Sequence, residues 1–418
     1  MDKIRIHGPC RLQGRVRTSG AKNAVLPEMA ATLLVDGPVT LRNVPVVRDV
    51  QTMIKVLRHL GSRQVSLDGD VLRVEGGAAG APEAPYDLVR TMRASILVLG
   101  PLLARLGRAR VSLPGGCAIG ARPIDYHIEA LRRMGAAIEI EHGDVVASSP
   151  RLQGTEIVFA ERTVTGTENI LMAAVLAEGR TVLKNCALEP EVADLARFLN
   201  ACGARIEGAG TGRIVIEGVE RLRGTEHRVI PDRIEAGTFL IAAAATRSAV
   251  TVERCDPTHL ETVLDKLQEC GVVLRVEGDA VGVDTDGPLR AANVTTRPYP
   301  DFPTDLQAQF MALMTRAEGT SIITETVFEN RFLHVGELRR MGARIVVDGQ
   351  TAIVAGPAPL SGAPVMASDL RASACLIVAG LSAEGETVID RAYHIDRGYE
   401  KVETKFQALG ARIERIGA

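Results

Sequence analysis

The chain has 418 residues, 46% of them hydrophobic, and a formal net charge of −2 at pH 7. This length exceeds what one hydrophobic core usually supports, so more than one domain is expected. The nearly neutral charge and the lack of a long basic run argue against a nucleic-acid binder, whose affinity comes from clustered Lys and Arg.

Residues 4–18 read as strands, and a longer unit then recurs six times along the chain. Each unit has an Ala-rich helix that is apolar on nearly every side and runs into a strand. An amphipathic helix and two strands follow, which predicts an α/β fold built from one repeated order of elements. The apolar helices are predicted at residues 26–34, 96–106, 170–177, 239–245, 310–314 and 375–381.

A glycine ends each amphipathic helix and recurs about every 70 residues. Glycine is favoured just after a helix because it adopts the left-handed conformation without a steric penalty from Cβ. Turn dipeptides such as Asp68-Gly69 and Asp348-Gly349 then join the two strands into a hairpin. The helix-ending glycines are Gly61, Gly135, Gly203, Gly271, Gly342 and Gly410.

Three apolar helices fall on each side of residues 229–232. A helix that is apolar all round must be surrounded by protein, so sheets are expected outside three central helices in each of two domains. The N-terminal strands are expected to complete the sheet of the C-terminal domain. The predicted domains are residues 22–229 and residues 1–21 with 230–418, and a site is expected in the cleft between them.

Cationic residues from both halves lie where helices are predicted to begin. Helix N-termini carry unpaired N–H groups and a partial positive charge, and Arg suits bidentate binding of carboxylate and phosphate. Their shared positions predict a site for a small anion bearing both groups; alternatively, each is an ordinary salt-bridged surface residue. These residues are Lys22, Arg93, Arg122, Arg331, Arg371 and Arg397.

Two loops contain candidates for chemistry. Cys117 lies in a glycine-rich loop with Arg122 five residues on, so exposure and a nearby cation would make its thiol reactive. An inert buried thiol is the alternative. Asp305 follows a proline-rich segment and precedes an apolar helix, so it is either a helix N-cap or a general base. Buried, inert thiols are expected at Cys186, Cys202, Cys255, Cys270 and Cys375.

Several kinds of site are not indicated. The sequence has no P-loop, G-x-S-x-G elbow or H-E-x-x-H motif, and its eight histidines show no ligand spacing, so neither a metal nor a cofactor is expected. Seven cysteines without a Cys-x-x-Cys pair are typical of a reducing compartment. The start lacks a signal peptide, and Gly100, Pro101 and Arg105 interrupt the most apolar segment, which predicts a cytoplasmic protein without membrane association.

Seven long motifs lie at residues 19–23, 114–125, 231–235, 302–305, 324–331, 369–373 and 395–399. With them the chain resembles, from end to end, the UDP-N-acetylglucosamine 1-carboxyvinyltransferase family of enolpyruvyl transferases. The resemblance implies two inside-out α/β barrel domains, each of three β-α-β-α-β-β units. It also implies transfer of the enolpyruvyl group of phosphoenolpyruvate to the 3-hydroxyl of UDP-N-acetylglucosamine through a tetrahedral ketal, the first committed step of peptidoglycan synthesis. A monomer or weak homo-oligomer is expected.

The resemblance also implies roles for matching residues. Lys22, Arg122 and Arg397 would contact the phosphate of phosphoenolpyruvate, and Arg331 and Arg371 its carboxylate. Asp305 would take the proton of the sugar 3-hydroxyl. Cys117 would donate a proton, assist product release and be alkylated by the epoxide antibiotic fosfomycin. The UDP-sugar contacts would be Asn23, Arg93, Arg122, Pro123, Ile124, Asp125, Tyr126, Arg162, Thr163, Val164, Thr165, Asp305 and Val327.

The family pattern has lysine where this chain has Arg162, which keeps the charge but changes the geometry of the contact. Three alternatives remain open. The sister transferase that acts on shikimate 3-phosphate shares the fold, although the Cys117 loop and residues 122–125 argue against it. A ring-like scaffold is also built from repeated α/β units, but it has no use for such a thiol and six cations. An inactive paralogue would share the fold, yet every matching catalytic residue is present.

Overall fold

The computed structural model describes residues 2–77, 82–90, 92–113, 124–285 and 287–417. The chain divides into two compact units. We call the described residues of 20–230 the N-terminal unit, and those of 1–19 and 231–418 the C-terminal unit. Each unit has its own hydrophobic core.

Central and amphipathic helices alternate along both units. Short 3-10 helices at Thr32–Leu34, Arg93–Val98, Pro257–His259, Thr304–Leu306 and Ala392–Arg397 extend or precede them. The α-helices are α1 (Lys22–Ala31), α2 (Arg48–His59), α3 (Tyr86–Val89), α4 (Leu99–Leu106), α5 (Asp125–Arg133), α6 (Val164–Ala174), α7 (Pro190–Ala201), α8 (Arg233–Ala245), α9 (Glu261–Glu269), α10 (Gln307–Met314), α11 (Val335–Arg340), α12 (Leu370–Ser382) and α13 (Val402–Ala408).

The six predicted apolar helices are confirmed as α1, α4, α6, α8, α10 and α12, and nearly all their residues are buried. Most begin several residues before the apolar run, and these helices also bury polar side chains such as Glu28, Glu235 and Gln309. Central helices also approach one another closely. A Cβ on Gly100 of α4 would lie 2.5 Å from the backbone oxygen of Asn169 on α6, so only glycine fits there.

The helix ends follow the predicted glycine pattern. The glycines after α2, α5, α7, α9, α11 and α13 all have φ between 86° and 103°, the left-handed region in which a Cβ is unfavourable. The hairpin glycines Gly69 and Gly349 have φ of 58° and 55°. Glycine at these points therefore ends each helix and turns the chain into the next strand.

In the described residues, the strands form six four-stranded sheets of one repeated pattern and one short two-stranded sheet. The strands are β1 (Lys3–Gly8), β2 (Gln13–Arg17), β3 (Val35–Asp36), β4 (Pro38–Arg42), β5 (Val65–Asp68), β6 (Val71–Glu75), β7 (Glu83–Ala84), β8 (Arg108–Ser112), β9 (Ala137–Glu141), β10 (Asp144–Ser148), β11 (Glu156–Val158), β12 (Arg180–Lys184), β13 (Arg205–Glu207), β14 (Arg213–Glu217), β15 (Leu222–Arg223), β16 (Glu226–Arg228), β17 (Ala249–Glu253), β18 (Val273–Glu277), β19 (Ala280–Asp284), β20 (Val294–Thr295), β21 (Gly319–Thr324), β22 (Arg344–Asp348), β23 (Thr351–Gly356), β24 (Pro364–Met366), β25 (Gly385–Asp390) and β26 (Ile413–Ile416).

The sheet order β20-β21-β23-β22 illustrates the pattern: β20 and β21 are parallel, and the hairpin β22–β23 adds antiparallel strands. The N-terminal strands occupy equivalent places in the C-terminal unit. β1 lies between β25 and β26, with Ile4 opposite Ile389, and β2 pairs in parallel with β17. Residues 3–17 thus complete two sheets whose other strands lie more than 200 residues later in the chain.

Candidate active site

Asp305 lies between two arginines in the C-terminal unit. Arg331 Nη2 donates to Asp305 Oδ1 at 2.8 Å, and Arg371 Nη2 donates to Asp305 Oδ2 at 2.6 Å. Asp305 is in the 3-10 helix before α10, Arg331 precedes α11, and Arg371 is in the first turn of α12. We call these three residues the arginine–aspartate cluster; it unites three predicted site residues that are up to 66 positions apart.

The charges of this cluster determine the ionisation of Asp305. Burial by itself would raise the pKa of Asp305, but the charges of Arg371 and Arg331 and their hydrogen bonds outweigh burial and hold the pKa well below its usual range. The arginine side chains are only 3% and 7% exposed, whereas 26% of the Asp305 side chain is accessible. Asp305 is therefore ionised and can be reached from outside.

The N-cap interpretation of Asp305 is wrong. Pro303 caps the 3-10 helix Thr304–Leu306, Leu306 caps α10, and neither cap has a side-chain hydrogen bond in the described part of the chain. The carboxylate turns to the two guanidinium groups because they offer charge-assisted bonds, which are stronger than a bond to a neutral amide.

The Tyr399 hydroxyl contacts Arg371 and helps to position it, a role that was not predicted from the sequence. Arg371 Nη1 lies 3.3 Å from the Tyr399 hydroxyl, which is 2.8 Å from Thr238 Oγ1. Gln309 Nε2 donates to the backbone oxygen of Asp305 at 3.0 Å and lies 3.3 Å from the same hydroxyl. This network connects α8, α10 and α12, so the central helices position the cluster.

Glu325 connects the two turns that carry Asp305 and Arg331. One carboxylate oxygen accepts from Thr304 Oγ1 at 2.8 Å, next to Asp305 in the chain. The other accepts from the backbone N–H groups of Val327 and Phe328 at 2.8 and 3.2 Å. Glu325 therefore links Val327, a predicted sugar contact, to the residue next to Asp305.

Two of the predicted cations, Lys22 and Arg93, belong to the N-terminal unit. Lys22 begins α1 and its Nζ lies 3.2 Å from Asp49 Oδ2, while Asn23 beside it is exposed. Arg93 begins a 3-10 helix. Both cations therefore lie at helix starts, as the sequence predicts.

His127 is a buried histidine next to several predicted UDP-sugar contacts, and the sequence analysis missed it. Its Nε2 lies 3.3 Å from Thr165 Oγ1, and its Nδ1 lies 2.8 Å from Asn169 Nδ2. Burial chiefly, and the charge of Arg93 in addition, lower the pKa of His127 to about 4. Because Asn169 Oδ1 accepts from Gly100 N–H, its amide nitrogen donates to His127, which leaves the Nε2 hydrogen for Thr165.

The remaining predicted residues lie as follows. Ile124, Asp125 and Tyr126 are at the start of α5, and Thr163 caps α6 by accepting from Gly166 N–H at 3.2 Å. Arg162 is exposed just before α6, Val164 is its first residue, and Arg397 ends a 3-10 helix of the C-terminal unit. Cys117, Arg122 and Pro123 lie outside the described residues.

The six described cysteines are free and buried. Burial raises the pKa of Cys186 and Cys255 to about 11 and that of Cys202 and Cys270 to about 12, so these thiols stay protonated at neutral pH. The prediction of buried thiols at these positions and at Cys375 is confirmed. Within the described ranges, no helix has both the length and the apolar character needed to cross a membrane.

Comparisons with known proteins agree with this architecture. The family model described as EPSP synthase (3-phosphoshikimate 1-carboxyvinyltransferase) matches residues 6–406. A relative from Koribacter versatilis, named UDP-N-acetylglucosamine 1-carboxyvinyltransferase, is 56% identical over 100% of this chain and 97% of its own length. A relative of the same name from Myxococcus xanthus is 57% identical over 99% of both chains.

Solved structures confirm the predicted fold class. The enolpyruvyl transferase NikO from Streptomyces tendae has a TM-score of 0.90 at 29% identity, covering 100% of this chain and 99% of that one. EPSP synthase from Acinetobacter baumannii has a TM-score of 0.75 at 20% identity and full coverage of both chains, a likeness of fold.

Proposed function

Because the chain belongs to the enolpyruvyl transferase family, we propose that it transfers the enolpyruvyl group of phosphoenolpyruvate to the 3-hydroxyl of UDP-N-acetylglucosamine. The names of relatives that are more than half identical over the whole length support this acceptor over shikimate 3-phosphate. The step would commit the sugar nucleotide to peptidoglycan synthesis.

The arginine–aspartate cluster is the observation on which the proposal rests. Arg331 and Arg371 hold the carboxylate of Asp305 as they would hold the carboxylate of phosphoenolpyruvate, since both are planar anions that accept two N–H donors. When the substrate carboxylate takes these donors, Asp305 loses the charges that lower its pKa. Its basicity then rises, and the partly exposed carboxylate accepts the proton of the sugar hydroxyl.

The two half-reactions balance without a change of oxidation state. In the addition, the sugar oxygen bonds to C2 of phosphoenolpyruvate, its proton goes to Asp305, and Cys117 donates a proton to C3. In the elimination, the Cys117 thiolate takes a proton back from C3, the electron pair of that C–H bond forms the C2=C3 double bond, and the bond from C2 to the phosphate oxygen breaks. The proton held by Asp305 goes to the released phosphate, so both residues return to their starting state. Fixed cations favour both steps because they stabilise the anionic groups while charge develops at C2.

The other cations are proposed to hold the phosphate of phosphoenolpyruvate. Lys22 at the start of α1 supplies one charge, and Arg122 and Arg397 supply two more. The proposed UDP-sugar contacts are Asn23, Arg93, Ile124, Asp125, Tyr126, Arg162, Thr163, Val164, Thr165 and Val327, with Arg122 and Pro123. His127 supports this group by fixing the hydroxyl of Thr165.

We further propose that the protein acts in the cytoplasm, as a monomer or weak homo-oligomer. Six free, buried thiols suit a reducing compartment. Gel filtration with light scattering at several concentrations would test the oligomeric state, and a stable tetramer would contradict it.

Phosphate release from phosphoenolpyruvate with each acceptor tests the function. We expect release with UDP-N-acetylglucosamine; release with shikimate 3-phosphate alone would refute the proposal. Asp305→Ala should lower turnover by at least about 100-fold while calorimetry still detects UDP-sugar binding. Asp301→Ala, which removes an exposed carboxylate nearby, should keep wild-type turnover.

Fosfomycin labelling tests the thiol. We expect mass spectrometry to find the label on Cys117 alone, because the six described cysteines are buried. UDP-N-acetylglucosamine should enhance labelling. A label on any other cysteine would contradict the role proposed for Cys117.

A further inference from the structure

Three side chains that the proposed reaction does not use meet in the N-terminal unit. They are Glu28 of α1, Asp194 of α7 and His227 of β16, and we call them the carboxyl–histidine cluster. His227 Nε2 lies 3.1 Å from Asp194 Oδ1 and 3.4 Å from Glu28 Oε1. One oxygen or nitrogen from each residue falls within 4.8 Å of the others. Three distant parts of the chain thus converge on one point.

Glu28 is the residue that requires an explanation. It is fully buried, and among the described residues neither of its carboxyl oxygens has a hydrogen-bond partner. An isolated buried carboxylate is costly, because it loses its hydration without compensation. Burial is the main reason that the pKa of Glu28 is raised to about 8, and Asp194 adds to the effect while His227 opposes it. A bound cation would satisfy the oxygens of Glu28, which have no hydrogen-bond partner among the described residues.

The spacing of the ligand atoms suits a metal ion. A tetrahedral Zn²⁺ with bonds of about 2.0–2.1 Å places its ligand atoms about 3.3–3.4 Å apart. The two contacts of His227 are 3.1 and 3.4 Å, so small side-chain shifts would admit the ion. One imidazole nitrogen and two carboxylates form a donor set for first-row transition metals. We propose that Glu28, Asp194 and His227 bind a divalent transition-metal ion of the Zn²⁺ type.

Groups around the cluster hold two of the ligands in place. Asp194 Oδ1 accepts from Arg197 Nη2 at 3.0 Å, and Asp194 Oδ2 accepts from Ile230 N–H at 3.0 Å. The ring of Phe198 lies 5.6 Å from the ring of His227. Such outer contacts orient metal ligands in known sites. Since the three ligands come from α1, α7 and β16, the ion would join these elements in the core.

The charge balance makes metal binding depend on pH. Two carboxylates offset a divalent charge, and the carboxyl groups of Glu189 and Glu191 lie in the same part of the unit, near Glu168, whose pKa burial and these neighbours raise well above its usual range. Hydrogen bonds from His227 and its neighbours keep the pKa of Asp194 lowered despite burial. Protons compete with a metal ion for carboxylate and imidazole ligands in general, so apparent affinity increases with pH.

Zinc titration of the full-length protein tests the proposal without measuring turnover, so its outcome is independent of the proposed function. The protein is stripped with EDTA, dialysed, and titrated with Zn²⁺ against a chromophoric chelator at about pH 7 and about pH 8.5. We expect about one tightly bound ion per chain, tighter binding at the higher pH, and a higher melting temperature with zinc.

Glu28→Leu is the matched variant. It replaces a buried carboxyl by an apolar side chain of similar size and keeps all seven cysteines, so thiol binding of zinc is unchanged. Loss of a group that only supports a metal ligand lowers affinity by about 10-fold or more. Because Glu28 is proposed to bind the ion directly, the zinc affinity of the variant should fall by more than about 10-fold. His227→Phe, which keeps a ring beside Phe198, should behave alike. Equal zinc binding by the wild type and both variants would overturn the proposal. The three side chains would then form hydrogen bonds and exchange protons without binding a metal ion.

Discussion

The two clusters differ in the charges that surround their carboxyl groups. The arginine–aspartate cluster lies in the C-terminal unit and the carboxyl–histidine cluster in the N-terminal unit. In the first, two guanidinium groups face one carboxylate; in the second, two carboxyl groups face one imidazole. Burial raises the pKa in both, yet that of Asp305 lies well below its usual range and that of Glu28 is raised to about 8. Because burial raises the pKa of both carboxyl groups, the neighbouring charges account for the difference between them: two arginines outweigh burial at Asp305, whereas burial prevails at Glu28.

The largest effect is expected from breaking the first cluster with Arg371→Met. The variant loses a buried cation that holds Asp305 and is proposed to bind the substrate carboxylate. We expect kcat/KM for phosphoenolpyruvate to fall by about 100- to 1,000-fold in a phosphate-release assay. Arg340→Met, an exposed position at the end of α11, is the control. Equal losses in the two variants would show that the cluster has no special role.

The pH dependence of stability in Glu28→Leu tests the ionisation assigned to the carboxyl–histidine cluster. The folded-state pKa of Glu28, about 8, lies above its unfolded value of 4.5, so the unfolded state releases its proton first and the wild type loses stability as pH rises between these values. Denaturant unfolding in EDTA should show the variant more stable than the wild type by a few kcal/mol at about pH 8.5. The difference should shrink towards about pH 5.

The raised pKa of His227 gives stability that is present below about 6.5 and lost as pH rises to about 9. Glu28 is one of the groups that raise the pKa of His227, so Glu28→Leu loses less of this stability as pH rises, which changes the difference in the same direction as Glu28 itself. A difference in unfolding free energy that stays constant with pH would contradict the ionisation assigned to Glu28.

A smaller effect is expected from Tyr399→Phe. It removes the hydroxyl that lies 3.3 Å from Arg371 and 2.8 Å from Thr238 but keeps the ring under the guanidinium. We expect kcat/KM for phosphoenolpyruvate to fall about 10-fold, because a bond to a charged group is lost. The KM for the sugar nucleotide should change little. Tyr86→Phe, at an exposed position, should match the wild type, and a matching loss there would contradict the expectation.

The smallest effect is expected from Arg197→Ala. Arg197 also donates to a buried carboxylate, but its side chain is 56% exposed, unlike those of Arg331 and Arg371. Exposed ion pairs contribute about 0–1 kcal/mol, so thermal unfolding should show a small shift and turnover should be unchanged. A loss of activity comparable to that of Arg371→Met would mean that exposure does not distinguish the two arginines.

Much of the fold could be predicted, while the candidate site could be predicted only in part. The apolar helices and the glycines that follow the amphipathic helices are local signals, and both are confirmed. The predicted helix starts and the proline-rich segment pointed to Arg331, Arg371 and Asp305, and resemblance to a family implied their roles. Their mutual contacts, and the support from Tyr399 and Glu325, follow from packing between elements far apart in sequence.

Local residue patterns were enough to predict the repeated order of helices and strands, because helix periodicity and glycine conformation act over a few neighbouring residues. Which charged side chains meet depends on the packing of segments that are distant in the chain. Glu28 stands in an apolar helix and His227 in a short strand, 199 residues apart, with no ligand spacing to connect them. Their ionisation depends on distance in space and on loss of water, which no local pattern of residues encodes.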